Sequence, residues 1–260
     1  MTHPLPPAAD PTGGPIPQPA ARLSGLSLVM PAHNEAENLP WMLQRCAEVL
    51  PALAERQEVI LVDDGSTDGG GEVALRIAAA AGIELRVIRH ARKGGYGISV
   101  ADGLRAVRLD YAAFTDADGQ FDVADLSLLL PLLDTADLVA GWRIERNDAL
   151  ARAAVSGVYN GLVRALYGLR VRDLNCAMKL MRTDFLRTVD LEAHSAMINA
   201  ELFWKARRGG WRIAQVGVPH HPRRAGVRSG ARPRAIVNAF RELVVFRVRL
   251  ARGPRARSAR

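Results

Sequence analysis

Two aspartates separated by one residue, Asp116 and Asp118, directly follow a short apolar run at residues 111–115. Two carboxylates at the end of a strand can bind one hard divalent cation, which prefers oxygen ligands and often takes the rest of its shell from waters or substrate phosphates. Aspartate is also an ordinary turn residue, so a simple turn stays open at this point. The pair therefore indicates either a divalent cation site or a tight turn.

Further polar segments follow two other apolar runs. Three aspartates come after the run at residues 58–62: Asp63, Asp64 and Asp68. A lysine and three glycines lie around the start of a helix predicted from residue 96: Lys93, Gly94, Gly95 and Gly97. The amino terminus of a helix can face a phosphate, although this lysine and glycine run matches neither a P-loop nor the Rossmann glycine fingerprint.

The elements that must position these side chains alternate between strand and helix. Apolar runs of buried-strand type recur at intervals of about 25 to 30 residues, and a helical stretch follows each of the first three. They lie at residues 26–30, 58–62, 85–88, 111–115 and 138–140. This alternation predicts an α/β fold with a mostly parallel central sheet and helices on both faces, of the kind that binds nucleotides. Because ligands bind at the carboxyl ends of parallel strands, we expect the polar loops to share one edge.

The second half of the chain is less regular. It predicts a helix over residues 150–167, a strand over 176–181, a helix over 200–207 and a strand over 213–218. A last helix, over residues 236–250, has a broad apolar arc and three arginines. Two interpretations of this helix are equally consistent with the pattern: it packs on the domain, or its apolar face binds a membrane surface.

Composition narrows the class of protein. The 260 residues are 48% hydrophobic, which suffices for a sizeable core and excludes general disorder. No run approaches 18 uncharged apolar residues and the first 25 residues carry no secretory signal, so we expect neither a membrane span nor export. Two cysteines, Cys46 and Cys176, support neither a disulfide framework nor a cysteine zinc site. The sequence thus predicts a cytoplasmic protein.

The net charge of +8 is unevenly distributed. Residues 223–260 hold twelve arginines and one acidic residue, Glu242, a net charge of +11 that leaves −3 for the rest. A basic end of this kind suggests a polyanionic partner, either a nucleic acid or an anionic membrane, unless it is only a solvated charge run. We divide the chain into a disordered Pro/Ala-rich leader (1–24), a globular domain (25–232) and a basic amphipathic helix and tail (233–260).

Taken together, the loops resemble a known family. The segments are Val29-Met30-Pro31-Ala32-His33-Asn34-Glu35, Val62-Asp63-Asp64-Gly65-Ser66-Thr67-Asp68, Lys93-Gly94 and Asp116-Ala117-Asp118-Gly119-Gln120. In this order and spacing they resemble the family 2 inverting glycosyltransferases, and most of all the branch that transfers sugars to polyprenyl or dolichyl phosphate. The resemblance covers about residues 26–246 and implies a GT-A nucleotide-sugar fold.

The resemblance implies roles for residues of the donor site. Asp116, Asp118 and Gln120 would hold Mg²⁺ or Mn²⁺. Asp116, Asp118 and Arg223, in an Arg-x-x-Gly loop that closes over the diphosphate, would be catalytic. The sequence leaves open whether the donor sugar is linked to GDP or to UDP. The residues expected to bind this nucleotide-sugar are Pro31, His33, Glu35, Asp64, Lys93, Asp116, Ala117, Asp118 and Arg223.

The second half would bind the acceptor. Arg152 and Ser156 are four residues apart in a predicted helix and share a face, and the resemblance matches them to a pair that binds the acceptor phosphate. A guanidinium fork suits phosphate geometry. The resemblance adds Arg143 and Lys179 to this group; Asp173 is either catalytic or a turn residue. These residues favour a polyprenyl phosphate acceptor.

The acceptor prediction leaves an alternative. Relatives that glycosylate hydroxyl groups carry an acidic pair that supplies a general base, whereas this chain has Asn199-Ala200-Glu201. A phosphate is already an anionic nucleophile, so the missing acid favours a lipid phosphate over a soluble or glycan hydroxyl. Glu201 could equally be a helix acid paired with Lys205. A nucleic-acid-binding protein would leave the acidic loops unexplained, so we expect no nucleic acid partner and assign the basic end to the anionic inner face of the cell membrane.

Overall fold

A seven-stranded sheet in the order β3-β2-β1-β4-β6-β5-β7 forms the centre of the molecule. Its strands are β1 (Leu26–Ala32), β2 (Gln57–Asp63), β3 (Leu85–Arg89), β4 (Tyr111–Phe114), β5 (Leu138–Arg143), β6 (Lys179–Arg182) and β7 (Ile213–Val218). The computed structural model describes residues 15–16, 19, 21–144, 150–226 and 240–248, and it does not describe the side chains of 150–156, 159 and 160. Only β6 runs antiparallel to its neighbours in the sheet. The predicted α/β class and mostly parallel sheet are confirmed.

Helices surround the sheet in two groups. In chain order they are α1 (Leu39–Leu53), α2 (Gly70–Ala81), α3 (Tyr96–Arg105), α4 (Leu150–Tyr167), α5 (Thr183–Arg187) and α6 (Met197–Arg208). Helix α1 packs with α2, while α3 packs with α5 and α6. Two 3-10 turns, Val123–Leu128 and Leu130–Asp134, connect β4 to β5.

Burial in the core explains why the strands are continuous apolar runs in the sequence. Every residue of β1 is buried, as expected for a strand covered on both faces. Helix α1 buries one side, including Leu39, Met42 and Leu43, against the same core. Burial of these faces supplies the main favourable term in folding.

Two boundaries differ from the sequence prediction for reasons visible in the structure. Helix α3 ends at Arg105 rather than near residue 109, because the following backbone turns into the sheet, where the amide of Arg108 donates to Glu58. Strand β6 begins at Lys179 rather than at residue 176, because the preceding residues form a loop in which the amide of Cys176 donates to the carbonyl of Asp173.

The chain ends are covered only in part. Residues 240–248 are helical, within the helix predicted over 236–250, and the remainder of that prediction lies outside the described residues. Most of the predicted leader and all of the tail beyond residue 248 also lie outside them, so the domain boundaries remain predictions.

Candidate active site

The loops singled out in the sequence meet at one edge of the sheet. Strands β1, β2, β3, β4, β5 and β7 run in the same direction, so their carboxyl ends point to the same side. Residues after β1 reach those after β2, since the His33 ring contacts the Asp64 carbonyl at 2.8 Å. The expected convergence of the polar loops is therefore confirmed.

Arg223 joins three of these loops. Its guanidinium donates to Glu35 after β1 and, at 3.1 Å, to Asp118 after β4, while Nε donates to the carbonyl of Ala225 at 2.7 Å. Asn38 binds the other oxygen of Glu35 at 2.6 Å. Burial raises the pKa of Glu35, and the bonds from Arg223 and Asn38 oppose that rise only in part. One arginine thus bridges two carboxylates in a half-buried setting.

Asp116 lies in the most acidic part of this edge. Burial and the neighbouring charge of Asp118 raise its pKa to about 7, while the Tyr96 hydroxyl beside it and buried Lys179 act in the opposite direction. Its Oδ1 is inaccessible to solvent and has no hydrogen-bond partner. An orphaned carboxylate oxygen beside a second carboxylate is an arrangement that a cation would stabilise.

Gln120 is the third predicted metal ligand. Its amide nitrogen faces the ring of His220 and donates to the carbonyl of His221, both at 3.2 Å, which leaves Oε1 as the atom suited to a cation. Within the described part of the chain, no three His, Cys, Asp or Glu side chains form a metal-binding group. The residues nevertheless fit Mg²⁺ or Mn²⁺, which proteins often hold with one or two carboxylates plus substrate phosphates.

Asp64 is held by a separate set of donors. Its Oδ1 accepts from the Gly94 amide at 2.7 Å and from His90 Nδ1 at 2.8 Å, and its Oδ2 accepts from the Gly95 amide at 2.9 Å. Burial raises the pKa of Asp64, but these bonds outweigh it and the net shift is downward. Gly95 has φ +115° and a Cβ there would lie 2.8 Å from the His194 carbonyl, so glycine is required. Asp64 is a rigid anion.

The remaining predicted donor residues occupy the same edge. Pro31 pairs with Val62 in the buried part of β1, and Ala117 is buried between the two aspartates. Lys93 precedes the glycines that bind Asp64, and its side chain is exposed. None of these positions contradicts a role in binding a nucleotide.

The predicted acceptor residues are only partly described. Arg143, at the end of β5, forms a bidentate pair with Asp173 at 2.6 and 3.0 Å. Asp173 therefore orients Arg143. Arg152 and Ser156 lie one turn apart in α4, but their side chains fall outside the described part of the structure.

Lys179, the remaining predicted acceptor residue, lies inside the molecule. Its side chain is 0% exposed, and its ammonium donates to the carbonyls of Leu174 and Cys176 and to Asn199 Oδ1 at 2.8 Å. Burial lowers its pKa to about 8. Because Lys179 is buried, it acts on the site through electrostatic interactions with Asp116 and Asp173 and not through contact at the surface.

Sequence reasoning missed several residues of the site. His90, directly after β3, contacts Asp64 and also, through Nε2, Asp102 at 3.1 Å. The rule that ligands gather at strand ends could have found His90, because it follows a strand at the same edge. Arg224, whose guanidinium stacks on Trp41 at 3.9 Å, has no such signal because the two are far apart in sequence.

Comparison with known proteins identifies the family. The Glycosyl transferase family 2 model matches residues 27–206, which include the loops after β1, β2, β3 and β4. The chain belongs to glycosyl transferase family 2.

Curated relatives show which members of the family this chain is similar to. The chain is 32% identical over 209 residues to dodecaprenyl-phosphate galacturonate synthase of Rhizobium johnstonii, covering 78% of this chain and 60% of that protein. It is 30% identical over 212 residues to polyprenol monophosphomannose synthase of Mycolicibacterium smegmatis, covering 77% and 78%. With undecaprenyl-phosphate 4-deoxy-4-formamido-L-arabinose transferase of Salmonella choleraesuis the identity is 28%, covering 65% and 52%. The chain therefore spans between half and about four fifths of the length of these relatives.

Solved structures show the fold. Glucosyl-3-phosphoglycerate synthase from Mycobacterium tuberculosis, crystallised with Mn²⁺, uridine diphosphate and phosphoglyceric acid, superimposes with a TM-score of 0.67 at 21% identity and covers 92% of this chain and 81% of its own. A crystal form of that enzyme with Mg²⁺ and uridine diphosphate gives a TM-score of 0.64 at 20% identity, with 86% and 80% covered. The expected GT-A fold is confirmed. Among the described helices, none is long and apolar enough to cross a membrane.

Proposed function

We propose that this chain transfers a sugar from a nucleotide diphosphate donor to a polyprenyl phosphate, with inversion and with the help of a divalent cation. The observation that carries the proposal is the position of Arg223 between Glu35 and Asp118, at the edge where six parallel strands end. The acceptor class rests on the three relatives above, each named for a polyprenyl phosphate.

The donor half would bind across β1, β2 and β4. Asp64 would hold the nucleoside together with Pro31, His33, Glu35 and Lys93. The diphosphate would lie over Ala117 between the two aspartates, within reach of Arg223. Arg223 suits this task because a guanidinium binds phosphate oxygens in a fork and keeps its charge at all physiological pH values.

Asp116, Asp118 and the Oε1 of Gln120 would hold Mg²⁺ or Mn²⁺. When bound, the cation supplies charge neutralisation and a template for the diphosphate. The orphaned Oδ1 of Asp116 supports this assignment, since a buried acceptor without a donor is costly.

Arg143, Arg152 and Ser156 would position the acceptor phosphate, with Asp173 orienting Arg143 and Lys179 contributing charge from below. An oxygen of that phosphate attacks the anomeric carbon from the face opposite the donor diphosphate. The bond between the anomeric carbon and the diphosphate oxygen breaks, and its electron pair leaves with the nucleoside diphosphate. Arg223 stabilises the negative charge that develops there.

The step needs no general base on the acceptor side, because a phosphate is already ionised. Glu201, which lies near the position where hydroxyl-specific relatives are expected to carry a base, is fully buried. Its carboxylate accepts from the amides of Glu192 and Ala193 and pairs with Lys205 at 2.6 Å. The pair with Lys205 was one of the two interpretations that the sequence left open, although Glu201 is buried and not on the helix surface. Because this carboxylate is already occupied by these donors, its environment supports a phosphate acceptor over a hydroxyl.

Contact with an anionic membrane would bring the enzyme to its lipid acceptor. Arg241 and Arg247 are exposed on the helical segment 240–248, ahead of the arginine-rich end of the chain. Each basic residue near an anionic surface contributes about 1 kcal/mol. We assign this basic end to the inner face of the cell membrane.

The direct test is incubation of the purified full-length chain with polyprenyl phosphate, Mn²⁺ and a panel of radiolabelled nucleotide-sugars, followed by organic extraction. We expect label from one donor in the organic phase and none after EDTA treatment. Asp118→Ala should abolish transfer and weaken cation-dependent donor binding. Asp184→Asn is the matched control, because this exposed aspartate pairs with Arg187 on the surface.

The alternatives give different results. Donor hydrolysis without label in the organic phase would point to a soluble or glycan acceptor. Unchanged turnover in Asp118→Ala would refute the cation site. A salt-sensitive shift of DNA mobility with no turnover would favour a nucleic-acid-binding protein.

A further inference from the structure

The Asp64 carboxylate has almost no acceptor capacity left. An ionised carboxylate offers about four lone-pair positions, two on each oxygen. Gly94 and His90 occupy both positions on Oδ1, at 2.7 and 2.8 Å, and Gly95 occupies one position on Oδ2, at 2.9 Å. One position, on Oδ2, remains for a ligand.

The two nucleobases left open by the sequence make different demands on a carboxylate. Guanine presents its ring N1–H and an exocyclic N2–H side by side, and a carboxylate pairs with them through one free position on each oxygen. Uracil presents a single N3–H between two carbonyl groups. A carboxylate whose Oδ1 is already saturated can satisfy the uracil donor but only one of the two guanine donors, and a buried donor without a partner is penalised.

We propose that the base recognised at Asp64 is uracil, so that the donor is a uridine diphosphate sugar rather than a guanosine diphosphate sugar. This inference rests on the proposed function, because it assumes that Asp64 faces the nucleoside. It adds a specificity-determining residue, His90, which fills the second position on Oδ1.

His90 is well placed for that task. Its Nδ1 contacts Asp64 at 2.8 Å and its Nε2 contacts Asp102 of α3 at 3.1 Å, so the ring is fixed from both sides. Asp102 in turn pairs with Arg105 at 2.8 Å. The two glycine amides belong to the backbone and stay in place whatever the residue at position 90, so His90 is the donor that mutation can remove.

The test compares dissociation constants of UDP and GDP for the full-length chain with Mn²⁺ by isothermal titration calorimetry. We expect UDP to bind about ten- to a hundredfold more tightly than GDP, the effect of one unsatisfied buried donor. His90→Leu frees a position on Oδ1 and should reduce this ratio severalfold. His90→Asn retains an N–H near Nδ1 and should restore the ratio. Arg89→Gln is the matched control, since the adjacent Arg89 pairs with exposed Glu72.

Several outcomes would overturn the inference. Binding of GDP, ADP or CDP as tightly as UDP in the unmodified chain refutes the base assignment while leaving sugar transfer intact. An unchanged ratio in folded His90→Leu refutes the role of His90. Failure of every nucleotide to bind would refute the proposed function itself. The ratio for the unmodified chain decides the base even where His90→Leu does not fold.

Discussion

Arg223 illustrates how one side chain can serve the site before and during the reaction. Its guanidinium lies between Glu35 and Asp118, two carboxylates that would repel each other and a developing diphosphate charge. The same fork geometry that satisfies two carboxylates also suits two phosphate oxygens. The residue that pairs with both carboxylates is therefore the one we expect to neutralise the leaving group.

Replacing Arg223 with glutamine should lower turnover by about two to three orders of magnitude, the usual cost of removing one donor to a developing negative charge. Arg223→Lys should recover only part of it, because an ammonium cannot bridge both partners as a planar fork does. Steady-state kinetics with saturating donor measure the effect. Arg212→Gln, which removes an exposed pair with Asp137, should leave turnover unchanged. Equal losses of turnover in Arg223→Gln and Arg212→Gln would contradict the role given to Arg223.

Buried Lys179 has a distinct pH signature. Burial lowers its pKa from 10.5 to about 8, so between these values the unfolded chain holds a proton that the folded chain has lost. Stability from this group is therefore lowest below pH 8 and rises as the pH increases toward 10.5. Urea unfolding at pH 7 to 10 should show a gain of up to about 3 kcal/mol that is absent in Lys179→Met. Identical slopes in the two proteins would contradict it.

At the scale of elements, the sequence pattern predicted those features of the fold that depend on residues close together in the chain. Alternating apolar runs and helical stretches placed the parallel strands, and the strand-end rule then brought Glu35, Asp64 and Asp118 to one edge. The direction of β6 was not predictable, because four residues carry the same apolar pattern in either direction. Burial of Lys179 was missed for a similar reason, since its partner Asn199 is twenty residues away.

Packing of α3 on the sheet depends on one glycine. A Cβ at Gly103 would lie 2.3 Å from Val29 Cγ1 and 3.0 Å from Val62 Cγ2, so only glycine lets the helix approach β1 and β2 this closely. Because α3 begins just after the glycines that bind Asp64, this contact also sets the position of Asp64, where we propose that the nucleoside binds.

Gly103→Ala should destabilise the protein by about 1 to 3 kcal/mol through overpacking, which lowers the melting temperature by about 2 to 4 °C per kcal/mol. Gly161→Ala in α4 is the matched control: a Cβ there meets nothing within 4 Å, and alanine is the better helix former. Differential scanning calorimetry measures both. A Gly103→Ala protein as stable as the parent would show that α3 can shift away from the sheet at no cost.

On the scale of the whole molecule, charge and exposed apolar side chains are unevenly distributed. The net charge of +8 combines an acidic body with a basic end from residue 223 onward. Helix α4 exposes Val158, Leu162 and Leu166, at 59%, 39% and 37%, spaced one turn apart on one face. The segment 240–248 exposes three valines of its own and contacts α4 through the Tyr167 hydroxyl. Apolar rows flanked by arginines suit the interface of an anionic bilayer.

Vesicle binding should therefore need both the arginines and the exposed apolar side chains. We expect co-sedimentation with phosphatidylglycerol vesicles that weakens as salt is raised from 50 to about 300 mM, and little binding to phosphatidylcholine, because the arginine contribution is screened and requires anionic lipid. The triple variant Val158→Ser, Leu162→Ser and Leu166→Ser should lower affinity by about tenfold or more at every salt concentration, since partial burial of three apolar side chains is lost. Leu75→Ser with Leu128→Ser, which removes side chains of similar exposure elsewhere, is the control. If the triple variant bound as the parent does, the arginines alone would hold the protein on the membrane, and the apolar row of α4 would have no part in presenting the lipid acceptor to Arg143.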